Sequence, residues 1–274
     1  MKHDLIIRGG TLVTANETYN ADIGIKDGCI ATLGEDLDGN EIINADKKLV
    51  MPGGIEAHCH IAQESANGIM TSDDYETGSI SAAFGGNSCF VPFAAQKKGE
   101  SIASTIAEYD RRAETKSVID YSYHLILTDP NKNVLNELPS AFERGITSFK
   151  VFMTYATRVS DAQFLDILTI ARRHGGLTMV HAENHDMLSW MSNALTQAGY
   201  TAPRYHAPAR PSLAEEEAIN RAISLSKLAN APLMIVHVST PKGAELVARA
   251  RMDGAFVFGE TCPQYLFLTR DDID

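Results

Sequence analysis

The chain has 274 residues, 44% of them hydrophobic, with a formal net charge of -11 at neutral pH and a pI near 5.3. That length suits one large α/β domain or two smaller ones, with a sizeable buried core. The acidic balance argues against nucleic acid or an anionic membrane surface as a general partner.

The first ten residues, MKHDLIIRGG, contain only three consecutive apolar positions, so no signal peptide is read there. No apolar run is long enough to span a bilayer. Leu5-Ile6-Ile7 and Thr11-Leu12-Val13 are predicted strands flanking Gly9-Gly10. Ile23-Gly24-Ile25 then meets residues 29–33 across Lys26-Asp27-Gly28, where Asp-Gly is a strong hairpin signal. A small β module over residues 1–52 follows, punctuated by Pro52-Gly53-Gly54. From residue 53 to 274 the pattern becomes alternating strands and helices. Strands are predicted at 55–61, 88–93, 121–127, 148–153, 177–182, 233–238 and 255–260, and amphipathic helices at 74–84, 102–112, 161–173, 213–229 and 241–251. Ser212 with Glu215 three residues later predicts a capping box. Four cysteines (Cys29, Cys59, Cys89, Cys262) have no CxxC spacing, so neither a disulfide framework nor a thiolate zinc cluster is indicated, and a reducing cytoplasm is expected.

Repeated β-then-α units imply a parallel sheet with right-handed crossovers, the α/β class of the (β/α)₈ or TIM-like barrel. Seven strands are counted after residue 54, whereas closure takes eight. The expectation is therefore a barrel missing its eighth strand. A doubly wound sheet would tolerate seven, but its Gly-rich phosphate turn is absent.

His58-Cys59-His60 ends the first barrel strand. Side chains two apart on a strand share a face, so both imidazoles point to the rim where barrel enzymes keep their active sites. A bidentate metal clamp and two merely satisfied histidines both fit an HxH, and the Pro-Gly-Gly turn with the strand end favours the clamp. His181 and His237 each end a further apolar strand, which makes a metal-site constellation. Lys150 lies within the run 145–153, where burial would lower its pKa. A neutral amine beside metal ions can take up carbon dioxide as a bridging carbamate; alternatively the lysine snorkels to the rim. Beside four rim histidines the bridge is favoured. Tyr155, in the following loop, is read either as a hydrogen-bond donor to an oxyanion or as loop packing.

The order Pro52-Gly53-Gly54, His58-x-His60, Ser148-Phe149-Lys150-Val151-Phe152-Met153-x-Tyr155, His181-Ala182-Glu183-Asn184, Tyr205-His206-Ala207, Arg210-Pro211, Ile235-Val236-His237 and Glu260-Thr261-Cys262-Pro263-Gln264-Tyr265-Leu266 resembles the hydantoinase/dihydropyrimidinase family of the amidohydrolase superfamily. The match runs through essentially the whole chain. The resemblance implies that His58 and His60 bind one divalent metal, usually zinc, that His181 and His237 bind a second, and that Lys150 bridges them as its carbamate. It implies hydrolysis of a dihydropyrimidine or 5-substituted hydantoin to an N-carbamoyl amino acid by a metal-bridged hydroxide, with Tyr155 steadying the tetrahedral oxyanion. It also implies a homo-oligomer, commonly a tetramer.

Three departures qualify the likeness. The family's aspartate after the eighth strand has no counterpart, since none of Asp271, Asp272 or Asp274 sits at a suitable strand end. The expectation is a fragment of a longer enzyme, with residues 1–274 alone poorly soluble and inactive. Pro92 stands in the second barrel strand where relatives usually carry aspartate, and a proline there removes a ladder hydrogen bond. The loop Ile61-Ala62-Gln63-Glu64-Ser65 is more polar than is typical, which predicts small or polar ring substituents. Dihydroorotase is the nearest rival reading, but Ala62 stands where it carries arginine. Allantoinases continue HxH with an acidic-Pro-Gly run, absent here. A non-catalytic scaffold like the collapsin response mediator proteins is opposed by the five retained ligand positions.

Overall fold

The two short strands expected around Gly9-Gly10 are one strand, β1 (His3–Val13). Its register against the next strand slips between Ile7 and Gly10, with Gly9 at φ 73°. A glycine there absorbs the extra residue of a bulge, so the strand bends without ending. The predicted hairpin joins β2 (Thr18–Lys26) to β3 (Cys29–Gly34), with Lys26 opposite Cys29. Asp27 and Gly28 both have positive φ, 51° and 75°, as a two-residue turn between right-twisted strands requires. Two strands parallel to β1, β4 (Gly39–Asn44) and β5 (Leu49–Val50), complete a mixed sheet of order β3-β2-β1-β4, with β5 also on β1.

The computed structural model describes residues 2–65 and 68–273; Asp274, one of the three terminal aspartates considered above, lies outside them. The chain divides into one unit of residues 1–55 with 86–88 and another of residues 56–85 with 89–274.

The second sheet comprises β6 (Gly54–Cys59), β7 (Asn87–Ala95), β8 (Asp120–Tyr121), β9 (His124–Ile126), β10 (Ser148–Phe152), β11 (Leu177–His181), β12 (Leu233–Ile235) and β13 (Val257–Gly259). Their order is β13-β12-β11-β10-β9-β7-β6, with β8 also on β7, and the pairings from β7 to β13 are parallel. The strand expected over 121–127 is split, because pairing lapses between Tyr121 and His124. Pro92 supplies the reason. Ser122 N donates to Phe90 O at 3.2 Å, and the next rung of a parallel ladder would run from residue 92 back to Ser122. Proline has no N–H to give, and the same register resumes at Phe93.

Seven helices alternate with these strands: α1 (Tyr75–Phe84), α2 (Ile102–Ala113), α3 (Lys132–Glu143), α4 (Asp161–Arg173), α5 (His185–Gln197), α6 (Ser212–Ala229) and α7 (Pro241–Met252). Five answer to the predicted stretches; α3 and α5 lie outside them. The expected capping box at Ser212 does not form. Pro211 is the N-cap of α6 without a side-chain bond, and Glu215 reaches instead to Ser239 and Thr240. The strands alternate between two faces. Leu125, Phe149, Val151, Val180 and Ile235 pack with Ile106, Phe164, Ile167 and Ile219 of the helices. The other face carries Phe93, Ile126, Met179 and Val236 as a separate cluster, and Lys150 shares a register row with Ile126 and Met179. No helix among the described residues is long and apolar enough to cross a membrane.

Candidate active site

Lys150 is 2% exposed, its ammonium 5.0 Å from the ring centroid of Phe93 and 5.5 Å from that of Phe152. It makes no side-chain hydrogen bond among the described residues. Ring faces replace little of the hydration lost, so burial pushes its pKa down to about 7, against the opposing pull of Glu260. Two residues further along β10, Phe152 lies on the same face, level with His181.

The four predicted histidines gather at this rim. Ring centroids are 5.7 Å apart for His58 and His60, 5.7 Å for His58 and His237, and 4.6 Å for His181 and His237. Three of the rings are turned by a side-chain partner. The His58 Nδ1 pairs with the Glu260 carboxylate, His60 Nδ1 lies 2.7 Å from Gln63 Oε1, and His181 Nε2 lies 2.5 Å from Glu183 Oε2. These bonds leave the other nitrogen of each ring free of hydrogen bonds among the described residues. That is how metal-binding imidazoles are usually held, one nitrogen oriented and one available. Burial, His181 and Lys150 push His237 down to about 2, and burial also lowers His181, so both are neutral donors. Among the described residues no three His, Cys, Asp or Glu side chains converge closely enough to cage a metal ion, and the donors stand as neighbouring pairs. The donor set fits divalent cations by its chemistry: imidazoles, three of them oriented with one nitrogen open, beside a buried amine without a hydrogen bond among the described residues.

Two of these residues hold strained backbone. His237 has φ 41° and Tyr155 φ 69°, a left-handed region costly for side chains of this kind. Tyr155 is 40% exposed and its ring lies 5.0 Å from that of His181. The Arg210 guanidinium lies 5.4 Å from the Tyr155 ring centroid and donates to Glu183 Oε2 at 2.6 Å. Burial pushes Glu183 up, but His181 and Arg210 outweigh it and hold the carboxyl below its ordinary range. Burial raises the Tyr155 phenol, which keeps its proton at neutral pH. Tyr155 lines two cavities. One of about 380 Å³ is walled by His181, Glu183, Arg210 and His237, and one of about 600 Å³ by Gln63, Lys97, Arg112 and Phe152.

Sequence reasoning missed several neighbours of this cluster. Glu183 stands two residues after His181, and Glu260 ends a strand at the same rim, so the alternation that singled out the histidines also marks them. Phe93, stacked 4.7 Å from His60 and edge-on 4.8 Å from His58, carries no such signal; an apolar residue in an apolar strand reads only as core.

No family model matches the sequence. The chain is 43% identical to the D-hydantoinase of Geobacillus stearothermophilus over 274 residues, 98% of this chain and 58% of that protein. It is 42% identical to the D-hydantoinase of Ralstonia pickettii, over 99% of this chain and 60% of the relative. Among solved structures, a D-hydantoinase superposes with a TM-score of 0.95 at 42% identity, and a dihydropyrimidinase from Brevibacillus agri NCHU1002 with 0.94 at 44%. Each match covers 98% of this chain, and 60% and 59% of the respective structures. The chain thus spans about three-fifths of the length of these relatives. Along essentially its whole length, in sequence and in fold, the chain is similar to the hydantoinase/dihydropyrimidinase family.

Proposed function

We propose that these residues belong to an enzyme that hydrolyses a cyclic amide, a dihydropyrimidine or 5-substituted hydantoin, to an N-carbamoyl amino acid, while residues 1–274 on their own are expected to be inactive. The observation that carries this reading is the meeting of a buried Lys150, without a side-chain hydrogen bond among the described residues, with four rim histidines in a chain similar to D-hydantoinases. In this reading His58 and His60 hold one divalent cation, His181 and His237 a second, and zinc is the metal assigned. Such ions, when bound, lower the pKa of a water and polarise an amide carbonyl. The neutral Lys150 amine would attack carbon dioxide, forming an N–C bond and losing one proton to solvent, and the resulting carbamate would supply anionic oxygen donors to cations held by these histidines. Tyr155 donates its retained proton as a hydrogen bond to the oxyanion. Water is added across the ring C–N bond: carbon keeps the oxygen as carboxylate, and nitrogen takes a proton as the ring opens.

Gln63, Lys97 and Arg112 put polar groups on the otherwise largely apolar wall of the 600 Å³ cavity, and with the polar loop 61–65 the reading assigns small or polar ring substituents. A homo-oligomer and a cytoplasmic setting belong to the same reading. The test is hydrolysis of dihydrouracil beside phenylhydantoin and dihydroorotate by that enzyme loaded with zinc and bicarbonate. Turnover fastest on dihydrouracil, lost in Lys150→Ala, is the expected result. Turnover of dihydroorotate alone would move the protein to the rival branch, and a clear aromatic preference would refute the substituent reading.

A further inference from the structure

Glu215 takes no part in the chemistry above, yet its carboxylate accepts from four donors on another element. Oε1 takes Thr240 N at 3.0 Å, Thr240 Oγ1 at 2.9 Å and Ser239 N at 3.1 Å, and Oε2 takes Ser239 Oγ at 2.5 Å. It stands in the first turn of α6, where a glutamate ordinarily serves its own helix, and here it leaves that helix uncapped. Thr240 is the N-cap of α7 and accepts from Gly243 N at 3.0 Å. Space is reserved for the arrangement. A Cβ at Gly243 would lie 2.7 Å from Ile219 Cδ1, 2.9 Å from Thr240 Oγ1 and 3.0 Å from Glu215 Oε1.

The segment so held begins two residues after His237. That histidine keeps a left-handed backbone at φ 41°, which a free loop would relax. Val236 N bonds Val180 O at 3.2 Å and Val238 N bonds Glu260 O at 2.7 Å, which tie the strand side. Beyond Val238, among the described residues, Ser239 and Thr240 are tied to α6 through Glu215, and Thr240 also to the first turn of α7. We propose that Glu215 is a positioning residue: by clamping Ser239 and Thr240 it keeps the His237 imidazole aimed at His181, and so builds the second cation site. This rests on the reading of His181 and His237 as metal ligands given above.

A carboxylate that only capped α7 would affect melting and leave metal binding alone. The experiment therefore measures zinc equivalents and the affinity of each site, by competition with a chromophoric chelator, together with thermal melting. Glu215→Gln, which puts an amide N–H where an acceptor is needed, is expected to keep one equivalent unchanged and to weaken the other at least tenfold. Gly243→Ala displaces the carboxylate without altering charge, but its methyl also presses on buried Ile219, so a lower melting temperature is expected with it. Ser239→Ala, at an exposed position, removes one of the four donors without adding volume; it is expected to weaken the same equivalent with melting little changed, and it decides the matter if the glutamine variant fails to fold. Two equivalents bound as tightly in the variants as in the parent overturn the positioning role alone. A parent that binds no zinc overturns the proposed metal site and this inference with it.

Discussion

Lys150 lies within an apolar strand and is 2% exposed. A lysine in an apolar strand is either solvated at its tip or held near neutrality, and here it is held. Its folded pKa, about 7, lies below the unfolded value of 10.5. Between those values the unfolded chain binds a proton that the folded chain does not, so folding stability rises with pH from about 7 to 10.5. In metal-free, carbon dioxide-free buffer, Lys150→Met is expected to be the more stable protein at pH 6, by on the order of a few kcal/mol. Its advantage should shrink steadily towards pH 10. Denaturant melts across that range check the slope, and parallel profiles would contradict it. Tyr155→Phe removes one oxyanion donor and is expected to lower kcat about 100-fold with KM little changed. The histidines and Lys150 were legible because a polar group at the end of an apolar run needs a reason. Phe93 was not, because an apolar residue in an apolar strand becomes a partner only where separate strands meet.

At the scale of elements, alternation and turn chemistry carried the reading where they were strong. Asp27-Gly28 marks its hairpin because both positions need positive φ. Most of the seven strand lanes are legible because the apolar run is followed by a helix-period stretch. Signals failed where a residue had two uses. Gly9-Gly10 reads as a turn, yet inside a long strand it makes a bulge. Pro139 hides α3 by looking like a breaker, and α5 buries only Leu188, leaving little apolar period to see. Ser212 and Glu215 have the spacing of a cap, but the glutamate is engaged elsewhere. A pair of substitutions tests that correction. Ser160, which forms a true capping box with Gln163 on α4, should cost about 1 kcal/mol when changed to alanine. Ser212→Ala should change stability by less than about 0.5 kcal/mol. Chemical denaturation of both reads the contrast, and equal losses would restore the box at Ser212.

For the whole molecule, the apolar surface bears on behaviour in solution. Phe256, Phe258, Leu266, Phe267 and Leu268 are all exposed, within a short stretch at and beyond β13. Patches of this kind seek a cover. Residues 1–274 as a separate polypeptide are expected to bind a hydrophobic dye and to sediment as associated species; a monodisperse monomer would contradict this. The strand order follows from β/α alternation. What alternation cannot supply is the set of cross-strand pairs that turn each imidazole, since those depend on which rim residues the curl of the sheet brings face to face. The central claim is that five side chains from four strand ends hold a pair of cations. An anomalous difference map at the zinc edge, from crystals grown with zinc and bicarbonate, tests it most directly. The account predicts two peaks at the rim, one beside His58 and His60 and one beside His181 and His237, with extra density on the Lys150 amine joining them. Absence of both peaks, or zinc bound away from Lys150, would contradict it.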